Sequence, residues 1–118
     1  MVEQISEVAK EILAESEIFN DWPKPGVNFL DFFSITRKPA VFKKLMENLK
    51  LQITQEVGTP GEAFNTIVGL DSRGFVIGPI LALDWGLPFV AMRKKGKLPG
   101  DCFTEGYSKE YGDDQVEI

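Results

Sequence analysis

The stretch Thr66-Ile67-Val68-Gly69-Leu70-Asp71-Ser72-Arg73-Gly74-Phe75-Val76-Ile77-Gly78-Pro79 decides the fold. An apolar, β-branched run breaks into a short polar turn and reopens as a second apolar run. That pattern is a buried strand, a tight loop and a buried helix. Open α/β sheets take ligands outside the carboxyl ends of their strands, where helix N-termini favour anions. The turn offers the carboxylate of Asp71, the hydroxyl of Ser72, the guanidinium of Arg73 and the Cβ-free Gly74. It reads either as the polar connection every α/β domain needs or as a cradle for a phosphorylated ligand. Arg73 weighs toward the cradle, because a planar guanidinium can meet phosphate with two parallel N–H groups. Gly74 would let a ligand come close to the backbone.

Working outward, the strand is expected over 64–70 and the helix over 75–85. That helix is apolar nearly all round, which predicts burial, and Gly86 suits its C-cap. A second strand is expected over 87–92, completing a βαβ unit with a right-handed crossover as the default. Upstream, Ile5, Val8, Ile12 and Leu13 fall at helical spacing within 3–15, opposite Glu3, Glu7, Lys10 and Glu11. Pro23 and Pro25-Gly26 break regular structure, and 27–33 is an aromatic-rich, partly extended segment. Pro39 suits a first helical turn, followed by the stripe Val41, Phe42, Leu45, Leu49 and Ile53. Thr59-Pro60-Gly61 ends that helix. After Met92 the texture turns Lys-rich and Gly-rich, as in a loop or hairpin. The expected organisation is one α/β domain in three parts: 1–35, 36–92 and 93–118.

Composition narrows the chemistry. A chain of 118 residues has room for one modest core. The net charge of −5 argues against general nucleic-acid affinity. Against it, Arg93-Lys94-Lys95-Gly96-Lys97 puts four cations in five positions, either a solvated basic loop or an anion contact. Cys102 is the only cysteine, so an intrachain disulfide and a zinc–thiolate cluster are excluded. No apolar run reaches a membrane span, and the start lacks a signal-peptide pattern, so a cytoplasmic soluble protein is expected. There is no histidine, which removes Ser-His-Asp and Cys-His catalysis. Carboxylates, cations and backbone amides remain, a set suited to phosphate-bearing substrates.

Four segments in this order resemble the adenine phosphoribosyltransferases. They are Pro25-Gly26-Val27-Asn28-Phe29-Leu30-Asp31, Gly69-Leu70-Asp71-Ser72-Arg73-Gly74-Phe75 with Gly78-Pro79, 93–100 (Arg-Lys-Lys-Gly-Lys-Leu-Pro-Gly), and Tyr107-Ser108-Lys109-Glu110-Tyr111-Gly112. The resemblance covers nearly everything from Trp22 onward. It implies a type I phosphoribosyltransferase fold, Rossmann-like, with a parallel sheet flanked by helices and a small N-terminal hood. It implies transfer of phosphoribose from phosphoribosyl pyrophosphate to adenine, giving AMP and pyrophosphate in purine salvage, in a homodimer. Mg2+ would be bound mainly through the phosphoribosyl pyrophosphate, with no protein metal site.

By the same resemblance, Asp71, Ser72, Arg73 and Gly74 form the pyrophosphate loop, with a non-proline cis peptide between Asp71 and Ser72. Lys94 and Lys97 lie near the pyrophosphate, and Arg93 is offered across the dimer interface. Asn28, Phe29 and Leu30 hold adenine, although family members often carry a charge where this chain has Leu30, and Phe29 also reads as a core aromatic. Glu110 and Tyr111 belong to a mobile lid, with Glu110 stabilising the transition state or handling a purine proton. Its plainer reading is an exposed loop carboxylate. The family's second signature, two acidic residues before Ala-Thr-Gly-Gly-Thr, does not occur, and Asp113-Asp114 has no Gly-rich loop after it. The expectation is therefore an incomplete, C-terminally truncated fold, inactive or impaired alone. The alternative is a non-catalytic purine- or pyrophosphate-binding or subunit-pairing module.

Overall fold

Two compact units divide the chain, Met1–Gly58 and Thr59–Ile118. The computed structural model describes residues 2–109 and 112–118.

In the first unit the helical spacing produces α1 (Val2–Glu15), which packs on α3 (Pro39–Glu56). Pro39 opens α3 at its first turn, where a missing N–H is harmless. Ile12 is buried at the α1 contact, while Leu13, expected on the same face, is 49% exposed. Neighbouring helical positions differ by about 100° in direction, so only one of the two can point at α3. Met46 on α3 is buried although it lies off the expected stripe. Between these helices β1 (Glu17–Phe19) pairs antiparallel with β2 (Phe29–Asp31), and α2 (Phe32–Thr36) follows at once. Asp31 caps α2 by accepting the Phe33 N–H at 3.1 Å. Ser34 is 1% exposed; it donates to the Asp31 carbonyl at 2.6 Å and accepts the Glu17 N–H at 2.9 Å. This pins strand and helix together.

The second unit is built on β3 (Ile67–Leu70), α4 (Gly74–Trp85) and β4 (Phe89–Lys94). β3 and β4 are parallel, with Gly69 opposite Ala91 and Leu70 opposite Met92. The helix ends at Gly86, whose φ of 66° is the left-handed cap expected of it. The strand starts later than the expected residue 64. The Phe64 carbonyl instead accepts the Gly61 N–H at 2.8 Å in a turn, and the Phe64 ring meets Trp85 at 5.5 Å.

From Thr104 the chain folds as the hairpin β5 (Thr104–Lys109) and β6 (Gly112–Glu117), and β6 adds antiparallel to β4. The sheet order is β3-β4-β6-β5, so the parallel pair carries an antiparallel extension. The apolar helix is only partly covered: Gly78, Leu81 and Ala82 are buried, whereas Leu83 is 83% exposed. The sheet packs on one side of this helix, and the Phe64 ring meets its last residue, Trp85. The outer face of β3 is likewise open at Val68 and Leu70.

Candidate functional site

Two glycines make the β3–α4 turn possible. A Cβ on Gly69 would lie 2.5 Å from the Gly74 carbonyl oxygen and 2.6 Å from the Phe89 ring. A Cβ on Gly74 would lie 3.0 Å from the Gly69 carbonyl carbon. Strand end and helix start therefore touch backbone to backbone, which no larger residue permits. The Asp71 N–H continues the sheet by donating to the Met92 carbonyl at 3.2 Å, and the Asp71–Ser72 peptide is cis, as the resemblance implied.

The polar groups of this turn face different fates. The Ser72 carbonyl accepts the Phe75 N–H, and the Arg73 carbonyl accepts those of Val76 and Ile77, each at 3.1 Å. Among the described residues, the N–H groups of Ser72, Arg73 and Gly74 have no protein acceptor. These are the orphan donors of a helix start, and the helix dipole adds partial positive charge there. The Arg73 side chain is exposed and, among the described residues, makes no hydrogen bond or ion pair. Free amides and a free guanidinium thus share one short turn.

Asp71 is not free. Its Oδ2 accepts from Arg93 Nε at 3.0 Å and lies 2.9 Å from Nη2 in an ion pair. The same guanidinium donates from Nη1 to the Lys97 carbonyl at 3.4 Å and lies 5.8 Å from the centre of the Phe75 ring. Phe75 in turn packs edge-on against Phe89 at 6.1 Å. Arg93 therefore ties the β3–α4 turn to the basic turn after β4, within one chain. That basic turn closes by Lys97 N–H to the Lys94 carbonyl at 3.2 Å, with Gly96 at φ 87°.

Lys94 points to the hairpin. Its Nζ and that of Lys109 each lie 3.0 Å from Asp114 Oδ2. Lys109, then Lys94, then the Gln115 N–H hold the Asp114 carboxyl well below the usual carboxylate range. Among the described residues no group of three His, Cys, Asp or Glu could hold a metal ion.

The structure thus brings Asp71, Ser72, Arg73, Gly74, Arg93, Lys94 and Lys97 into one connected set of turns. Phe29 and Leu30 are half-buried on β2 and Asn28 is exposed before it, all in the other unit. There Phe29 meets the Trp22 ring at 4.6 Å. Glu110 and Tyr111 lie outside the described residues. Three acidic partners escaped sequence reasoning: Asp71 as the anchor of Arg93, Asp114 as that of Lys94, and Glu117, which accepts the Gly96 N–H at 3.1 Å. The available signal was electrostatic: a run of four cations in an acidic chain calls for counter-charges on the strand beside it.

No protein-family model matches the chain. Among curated proteins it is 45% identical over 114 residues to adenine phosphoribosyltransferase 1 of Saccharomyces cerevisiae, covering 97% of this chain and 60% of that protein. A crystal structure of the S. cerevisiae enzyme, complexed with an imino-altritol bisphosphate and adenine, superposes with a TM-score of 0.85 at 42% identity, over 96% of this chain and 63% of that one. The adenine phosphoribosyltransferase of Trypanosoma brucei, solved with AMP, pyrophosphate and ribose-5-phosphate, gives a TM-score of 0.74 at 26% identity, over 93% and 48%. The chain is homologous to adenine phosphoribosyltransferases over nearly its full length, and its fold is the matched portion of a type I phosphoribosyltransferase. It spans about 60% of the length of the curated relatives it matches.

Proposed function

We propose that this chain carries the pyrophosphate-recognising and adenine-recognising parts of an adenine phosphoribosyltransferase of purine salvage. The observation that carries the reading is the β3–α4 turn, where three amides and the Arg73 side chain, without partners among the described residues, lie beside a basic turn fixed by Arg93. Such a set holds a doubly charged diphosphate better than a single carboxylate, because amides and guanidinium donate to several oxygens at once. The relatives solved with adenine or with pyrophosphate support the same assignment.

In this reading adenine N9 attacks the anomeric carbon of phosphoribosyl pyrophosphate, the C1–oxygen bond to pyrophosphate breaks, and the ring N–H proton of adenine is released, with Glu110 as its candidate acceptor. Negative charge grows on the departing oxygens while the sugar becomes oxocarbenium-like. Ser72, Arg73 and Gly74 donate to the leaving group, and Lys97 and Lys94 add positive charge. Magnesium would be held mainly through phosphoribosyl pyrophosphate and would supply neutralisation of part of that charge. Asn28, Phe29 and Leu30 orient the purine, with Trp22 buttressing Phe29. Glu110 and Tyr111 are assigned to the closing lid. The homodimer and a cytoplasmic setting belong to the same reading; no helix among the described residues is long and apolar enough to cross a membrane.

The 118 residues hold no Ala-Thr-Gly-Gly-Thr run to cradle a 5′-phosphate. The expected behaviour of the isolated chain is binding of pyrophosphate and adenine with impaired turnover. Calorimetry with inorganic pyrophosphate and with adenine, beside a single-turnover assay for labelled AMP, tests this. Absence of binding to pyrophosphate would refute the assignment of the β3–α4 turn, and rapid AMP formation would refute the claim of impairment.

A further inference from the structure

Glu117 is the one charged side chain buried among the described residues, at 9% exposure. A buried carboxylate is expensive unless paired or hydrogen-bonded. No cation pairs with it among the described residues. Arg93, its register partner on β4, sends its guanidinium to Asp71 instead. Glu117 accepts from the Gly96 N–H at 3.1 Å through Oε2 and from Thr104 Oγ1 at 3.4 Å through Oε1. Its charge is therefore committed to the main chain of the basic turn.

That turn is held at three points. Lys95 N–H donates to the Gln115 carbonyl at 3.1 Å, Gly96 N–H to Glu117, and the Lys97 carbonyl accepts from Arg93. The first and third use the sheet and a site residue. Among the described residues the second is the only side-chain acceptor reaching a turn amide, and it meets Gly96, whose φ of 87° sets the turn's direction. A carboxylate beside an anion site has the wrong sign for binding. Its presence there is accounted for by geometry, not by charge.

We infer that Glu117 is a positioning residue that fixes the turn formed by 94–97, so that Lys94 and Lys97 meet a pyrophosphate group; this rests on the reading of the β3–α4 turn as a pyrophosphate site. Geometry and charge predict opposite results. Loss of the negative charge alone would tighten anion binding in Gln and Ala and leave Asp unchanged. Loss of the Gly96 hydrogen bond would weaken it.

The test is calorimetry with inorganic pyrophosphate on the full chain and on Glu117→Gln, Glu117→Asp and Glu117→Ala, with the Gly96 amide exchange rate followed by NMR. Gln keeps an acceptor at the same reach, so its affinity stays within about threefold of the parent or rises. Asp keeps the charge but is one methylene short, so it and Ala lose about tenfold, the scale of one hydrogen bond. Gly96 exchange quickens roughly tenfold in Asp and Ala only. If Ala does not fold, the Gln–Asp contrast decides alone. Asp binding as tightly as the parent, or Gln binding as poorly as Asp, overturns the inference. If the parent binds no pyrophosphate, the site reading fails and the ligand clause falls with it. Gly96 exchange then shows separately whether Glu117 fixes the turn.

Discussion

Arg73→Ala separates binding from folding more cleanly than any other change at the site. The side chain is exposed, caps nothing and has no partner among the described residues. Its removal leaves no buried group unsatisfied and no cavity, so stability should change by less than about 0.5 kcal/mol. Binding should respond differently. Hydrogen bonds from a charged donor contribute about 1.5–3 kcal/mol each. Losing one such contact weakens pyrophosphate affinity by roughly 10- to 150-fold, at 1.36 kcal/mol per decade. Calorimetry with inorganic pyrophosphate and thermal unfolding on the same samples read the two quantities. Arg73→Lys should recover only part of the loss, because an ammonium restores the charge without the planar fork. Affinity of Arg73→Ala within twofold of the parent would refute the assignment of this turn. A large fall in melting temperature would show instead that Arg73 supports the fold.

Two further outcomes follow from the same geometry. Gly69→Ala forces a methyl against the Gly74 carbonyl and the Phe89 ring, at 2.5 and 2.6 Å, and neither neighbour is a flexible chain end. It should destabilise the second unit by about 1–3 kcal/mol in urea unfolding, whereas Gly106→Ala, with its nearest atom at 4.0 Å, should change little. Equal stability of the two variants would contradict the close approach. Asp114, held low by Lys109 and Lys94, contributes stability above the ordinary carboxylate value of roughly 4, lost as pH falls through its lower folded value. Hairpin amide exchange should therefore show no Asp114-dependent step between about pH 5 and 8. A step there that Asp114→Asn abolishes would count against the clamp.

Local signals in the sequence carried most of the fold. Pro39, Gly86 and the Asp71–Gly74 turn each act through their own backbone, so reading them needs no knowledge of distant residues. The polar turn 71–74 and the basic run 93–97 stand out by local composition in the same way. What escaped depends on pairing across the chain. Phe64 leaves the strand because a turn claims its carbonyl. Leu13 and Leu83 stay exposed because a helix covers only what a neighbour presents to it. The antiparallel addition of β6 to β4 rests on two register pairs, Arg93–Glu117 and Lys94–Val116, which no local pattern announces.

The acidic partners also explain why the cations of the site differ in role. Arg93 makes two contacts to one Asp71 oxygen, a third to the Lys97 carbonyl and a cation–π contact to Phe75, at one-third exposure of both charged side chains. Moving it would undo the link between the two turns, so it acts from where it stands. Lys94 makes a single ion pair at 64% exposure, and Asp114 retains Lys109 if Lys94 leaves. Exposed pairs of that kind contribute little to stability. A diphosphate carries more charge than Asp114 and offers several oxygens, so Lys94 can exchange partners at small cost while the hairpin keeps its own clamp. Arg73 needs no exchange at all. On the proposed reading, a fixed Arg93, a transferable Lys94 and an Arg73 unpaired among the described residues would let a pyrophosphate site be assembled before the ligand arrives, with the Lys94–Asp114 pair left to rearrange.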